Sequence, residues 1–160
     1  MPLSLSLAET VAAPPEIVWA ALTDIPGWAQ WVPNLVRLDM LNGGRPSDAP
    51  FGMHTRWCEV RRMFDREASE EYEVIAVEKP TFLSLHVDGR KGATGRGEYR
   101  FRYRLQPVAI GTRVHLDADI LGMGWLFKRV VGRLFHHGIR HTLATELAAF
   151  KRHVESQPAR

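Results

Sequence analysis

Disulfides are the first thing this sequence excludes. Its 160 residues include a single cysteine, Cys58, so neither an intramolecular disulfide framework nor a cysteine-based zinc site can form. A lone thiol fits a reducing compartment. No apolar run approaches the ~20 residues that a membrane span needs. Met1 to Glu16 has neither the basic leader nor the long apolar stretch of a secretory signal. No run of five or six like charges occurs, which argues against a nucleic-acid partner. Also missing are a Gly-x-Ser-x-Gly elbow, a P-loop, and a Gly-x-Gly-x-x-Gly unit leading into a parallel strand, so no cofactor is expected. Gly92-Ala-Thr-Gly95-Arg-Gly97 is glycine-rich, but it falls between two strands and reads as a hairpin loop. These absences leave a soluble, cytoplasmic globular protein. The length suits one domain, residues 1–156, followed by a short tail, 157–160.

Charge is present but unevenly placed. Residues 1–122 sum to −2, whereas residues 123–160 sum to +5. A basic C-terminal segment suits either the solvated face of a helix or contact with an anionic surface. Gly122-Met-Gly-Trp-Leu-Phe-Lys-Arg129 sets apolar bulk beside positive charge, so residues 122–133 are the candidate for a transient membrane-surface contact. The simpler reading is that these apolar side chains close the interior.

Hydrophobic periodicity divides the chain into elements. Leu3, Leu5 and Leu7 alternate with small polar residues, the period of a half-buried strand. Pro14-Pro15 ends it, and Pro15 suits the first turn of a short helix through Leu22. Pro26-Gly27 breaks that helix, and Trp28 to Trp31 forms one more turn before Pro33. Strands follow over Leu35–Leu41, Gly52–Val60 and Glu67–Val77, the last two joined by a hairpin over Arg61–Asp65. Leu83, Leu85 and Val87 mark a fifth strand. In the sixth, Tyr99, Phe101, Tyr103 and Leu105 alternate with Arg100, Arg102 and Arg104; in the seventh, Val114, Leu116, Ala118 and Ile120 alternate with Arg113, His115, Asp117 and Asp119. Facing rows of arginine and aspartate suit cross-strand pairs on a wet outer surface.

Consecutive strands joined by short turns meander antiparallel instead of forming βαβ units. One face of the sheet is charged, so the other must be buried, and only the long helix from Trp125 to Val154 can cover it. The expected fold is α+β: a curved, seven-stranded antiparallel sheet around a long C-terminal helix, with two short helices after the first strand. Phe127, Val131, Leu134 and Gly138 read as one stripe of that helix, and Leu143, Leu147, Phe150 and Val154 as another. The stripes diverge by roughly 120–140°, which predicts a bend or break between Gly132 and Gly138.

The concave face is expected to carry Trp57, Tyr72, Leu85, Tyr99, Phe101, Tyr103 and Leu116, with Phe127, Leu134 and His141 facing it from the helix. Such a lining is either filled core or a ligand pocket, and phenolic hydroxyls are the kind of polar group that orients a ligand. The register of the strands over 52–77 is left open. His137 and His141 have the spacing of two ligands on one helix face, but no third ligand or catalytic base accompanies them, so no metal is expected.

Val11-Ala-Ala-Pro-Pro-Glu-Ile-Val-Trp19, Asp24 and Trp31-Val-Pro33 resemble the opening of the polyketide cyclase/dehydrase and lipid-transport group of the START and birch-pollen-allergen superfamily. Gly52, Glu78-Lys-Pro80, Leu105-Gln-Pro107 and Gly111-Thr-Arg-Val114 are similar to its later landmarks, in order. The resemblance implies a helix-grip fold with a hydrophobic cavity between sheet and helix, holding a small hydrophobic ligand such as a lipid, an isoprenoid or an aromatic polyketide. The alternative it implies is a cyclase performing intramolecular aldol closure and dehydration, for which Tyr72, Tyr99, Tyr103 and His141 are the acid–base candidates. A third reading takes the arginine-rich outer strand as a protein contact surface, arginine outnumbering lysine 17 to 4.

Overall fold

Alternating chemistry along each strand produces one dry and one wet face, and the dry face is what the helix covers. The computed structural model describes residues 3–43, 49–63, 65–89, 97–122 and 125–158, with the side chains of 63, 125–128, 130 and 131 excepted. The elements are β1 (Leu3–Val11), α1 (Pro15–Thr23), a 3-10 turn (Pro26–Gln30), β2 (Leu35–Asn42), β3 (Arg56–Met63), β4 (Arg66–Glu78), β5 (Phe82–Asp88), β6 (Glu98–Val108), β7 (Gly111–Leu121) and α2 (Trp125–Ser156). The strands form one antiparallel seven-stranded sheet in the order β1-β7-β6-β5-β4-β3-β2.

The charged rows of β6 and β7 lie outside. Arg102 reaches Asp119 at 2.8 Å and Arg104 reaches Asp117 at 2.7 Å, while Ser4 and Ser6 of β1 donate to the same two aspartates. On the opposite face Leu83, Leu85, Val87, Val114, Leu116, Ala118 and Ile120 are buried. Gly111 opens β7 at φ 147°, pressed so closely on the end of β1 that an added Cβ would lie 2.1 Å from the Val11 carbonyl oxygen.

Two expectations need correction. β3 starts at Arg56 and continues to Met63, so Gly52 to Thr55 is a turn and Arg61 belongs to the strand, not to the hairpin. Asp65, just before β4, takes the left-handed conformation (φ 61°).

The second concerns α2, which is one uninterrupted helix of 32 residues, without the break expected between Gly132 and Gly138. Its inward face runs through Gly132, Phe135, Ile139, Leu143, Leu147, Phe150 and Val154, a single stripe at three- and four-residue intervals. Phe135 and Ile139 take the contact positions that Leu134 and Gly138 were expected to hold. Leu134 lies about 180° around the helix from Leu143 and is 78% exposed. The C-terminal half of α2 is clamped along the edge of β1. Lys151 donates to the Thr10 carbonyl at 2.7 Å, and Glu155 accepts from the Ala12 N–H at 2.9 Å, which occupies backbone groups of an edge strand.

Candidate functional site

With β3 extended, its period of two puts Trp57, Glu59 and Arg61 on the inner face. Glu59 is completely buried and fully engaged. Trp57 Nε1 donates to one of its oxygens at 3.1 Å, and Arg61 Nε and Nη2 grip the other at 2.9 and 2.7 Å. The same guanidinium reaches across the interior through Nη1 to Glu146 on α2. Arg61 Nη2 lies 3.4 Å from the Tyr72 hydroxyl, which donates in turn to Glu70 at 3.2 Å. A buried charge persists only when paired and hydrogen-bonded, and this arginine satisfies both conditions. Burial opposes its charge, but Tyr72, Glu59 and Glu70 more than offset that, so the guanidinium is held more firmly protonated than usual. Burial pushes both the Tyr72 and Tyr103 hydroxyls above their ordinary value; Glu59 adds to the effect and Arg61 opposes it.

A ladder of rings links this network to the helix. Tyr72 stacks on Trp57 across the β3–β4 pair at 5.2 Å, Trp57 meets Trp28 at 5.5 Å, Trp28 meets Trp31 at 5.4 Å, and Trp31 meets Phe150 of α2 at 5.1 Å. At its end lies a pocket lined by Leu22, Trp31, Tyr103, Leu116, Glu146, Leu147 and Phe150. Its volume is about 10 Å³, room for roughly one water molecule. The two indoles of this stretch differ sharply. Trp28 Nε1 donates to the Leu22 carbonyl at 3.1 Å, whereas Trp31 Nε1 is buried without a hydrogen-bond partner among the described residues. Further along the helix, Gly132 is buried, yet among the described residues a Cβ added there would meet nothing within 4 Å.

Of the residues expected at the site, Tyr103 and Leu116 line this pocket. Trp57, Tyr72 and Leu85 are buried beside it in the inner-face core, and Tyr99 stacks on Phe101 further along β6. Leu134 and His141 are exposed and turned away from the sheet; His141 sits about 160° around the helix from Leu143. The Phe127 side chain lies outside the described residues, as do the Val131 side chain, most of the Gly92–Gly97 loop and much of the segment 122–133 expected to touch a membrane. Sequence reading missed Glu59, Arg61 and Glu146 as a group, and Trp31 and Leu22 as pocket walls. Among the described residues no three histidine, cysteine or acidic side chains are placed to hold a metal, and no helix is long and apolar enough to cross a membrane.

An open seven-stranded antiparallel sheet gripping a C-terminal helix, with a short helix after the first strand, is the helix-grip fold of the START and birch-pollen-allergen superfamily. Within that superfamily the chain belongs to the family described as polyketide cyclase / dehydrase and lipid transport, whose model matches residues 2–155. Among solved structures, TTHA0849 from Thermus thermophilus is similar at a TM-score of 0.72 and 17% identity, covering 95% of this chain and 97% of that one. Ara h 8.0201 gives 0.73 and 14%, covering 98% and 100%. DynU16, from the dynemicin biosynthetic locus, gives 0.64 and 20%, covering 96% of this chain and 47% of that one. At these identities the likeness shows the fold. No curated protein sequence matches the chain.

Proposed function

We propose that this protein binds a small hydrophobic molecule between the inner face of the sheet and α2. The observation that carries this reading is that, among the described residues, nothing lies within 4 Å of a Cβ added at buried Gly132. A close-packed interior leaves few voids, and a glycine costs an α-helix about 1 kcal/mol relative to alanine, so room left there by the described residues suits an occupant. The pocket under Trp31 takes only one small group, and because Gly132 lies about 21 Å along α2 from Glu146, an elongated ligand is needed to reach from one to the other. The free thiol Cys58 fits a cytoplasmic protein.

The cyclase alternative draws less support. Its four acid–base candidates do not gather: Tyr103 lines the pocket, Tyr72 is tied to Glu70, Tyr99 stacks on Phe101, and His141 faces outward.

Native mass spectrometry of freshly purified protein tests the binding reading, with a co-purified small hydrophobic molecule as the expected result. Gly132→Leu fills the space with a good helix former. It is expected to retain the fold by circular dichroism and to weaken ligand binding at least about tenfold through overpacking. Unchanged binding in that variant would place the ligand elsewhere.

A further inference from the structure

One polar atom in the interior is out of balance. Among the described residues, Trp31 Nε1 is the buried side-chain nitrogen or oxygen without a hydrogen-bond partner. Leaving such a donor unpaired costs about 1–3 kcal/mol, and Trp31 is itself a wall of the pocket. Another wall is Glu146, whose Oε1 is engaged by Arg61. A carboxylate offers about four lone-pair sites, so one ion pair leaves it capacity to accept again. Glu59 and Glu146 share the single guanidinium of Arg61, which leaves this trio one negative charge in excess.

These properties select among oxygen-bearing groups. A ketone accepts from the indole N–H but meets only lone pairs at Glu146. A carboxylate also accepts from Trp31, but its charge is repelled by a cluster already negative. An ammonium group suits Glu146 yet has no lone pair for the indole. A hydroxyl does both, accepting from N–H and donating to the carboxylate, and its single heavy atom matches a volume of about 10 Å³. Tyr103, which donates or accepts equally well, completes the wall.

We propose that this pocket is an anchoring subsite for the hydroxyl of a neutral phenol or alcohol, received between Trp31 and Glu146, and that it discriminates against free carboxylic acids. The proposal rests on the ligand-binding reading above and names the class of molecule bound.

The test uses naphthol, methylnaphthalene and naphthoate, each substituted at the same ring position, titrated calorimetrically into the intact protein at neutral pH. Naphthol is expected to bind at least about fivefold tighter than methylnaphthalene, the worth of one net hydrogen bond, and naphthoate weakest of the three. Trp31→Phe is expected to shrink the affinity ratio of naphthol to methylnaphthalene at least about twofold, donation to Glu146 remaining. The ranking in the unaltered protein stands even if that variant fails to fold. Methylnaphthalene equal to naphthol, or naphthoate tightest, overturns the hydroxyl subsite and leaves hydrophobic binding intact. No binding of any of the three overturns the ligand reading itself, and the subsite with it.

Discussion

Arg61 of β3 and Glu146 of α2, 85 positions apart in the chain, form an ion pair that joins the helix to the sheet from inside. Arg61 also neutralises Glu59, which has no solvent exposure, so the two contacts are unequal. Arg61→Ala abandons a fully buried carboxylate to a single indole N–H and is expected to cost about 3–5 kcal/mol. Glu146→Gln leaves Arg61 paired with Glu59 and is expected to cost about 1–2 kcal/mol. Urea denaturation measures both. A cost for Arg61→Ala no larger than that for Glu146→Gln would mean that Glu59 finds another partner.

The tyrosines set the behaviour in base. The folded state holds the Tyr72 and Tyr103 hydroxyls above their ordinary value of 10.0. Below about pH 10 both states keep these protons, and the contribution to stability is complete. Above it the unfolded chain loses protons that the native chain keeps, so stability falls with rising pH, by up to about 1.4 kcal/mol per pH unit for each such tyrosine. Titration of phenolate absorbance alongside circular dichroism is expected to show Tyr72 and Tyr103 ionising only with unfolding. Tyr103→Phe is expected to flatten the decline. A phenolate signal from both residues in the folded protein would contradict the burial that causes the shift.

What was legible in the sequence follows the contrast between neighbouring positions. In β6 an aromatic row alternates with an arginine row, and β7 answers it with aspartate, so both faces were assignable. In β3 the inner face itself carries Glu59 and Arg61, and a strand pattern breaks where charge appears at an inward position. The pair makes sense as inward only once Glu146 is brought against it, a contact that local periodicity does not encode. Trp31 is similar: its residue type suggested packing, but whether its N–H finds a partner depends on the three-dimensional neighbourhood.

The helix was legible as a helix but not in its facing. Two apolar rows compete in its first half: Val131, Leu134 and Gly138, or Gly132, Phe135 and Ile139. Both satisfy helical spacing, and the sheet chooses the second. Leu134→Ser is therefore expected to change stability by no more than about 0.5 kcal/mol, because Leu134 already sits in solvent. Leu147→Ala, at a buried position on the chosen row, is expected to cost about 2–5 kcal/mol. Comparable losses at the two positions would restore the rotated stripe.

Trp28 and Trp31 permit a matched comparison, because they are neighbours in space with the same chemistry and, among the described residues, only Trp28 Nε1 has a hydrogen-bond partner. Substituting either by phenylalanine removes an N–H and a similar volume of ring. At Trp28 the change also strands the Leu22 carbonyl, so the loss of packing adds to the loss of the bond. At Trp31 it removes a donor that was already unsatisfied, a relief of about 1–3 kcal/mol that opposes the packing loss. Trp31→Phe is therefore expected to be the milder change in the ligand-free protein by at least about 1 kcal/mol, read from the urea midpoints of the two variants. With a hydroxylated ligand bound the order narrows or reverses, because the indole N–H of Trp31 then has an acceptor to lose. Equal costs in the ligand-free protein would show that a bound water already serves that N–H, and the reason for an oxygen-bearing ligand at the pocket would go with it.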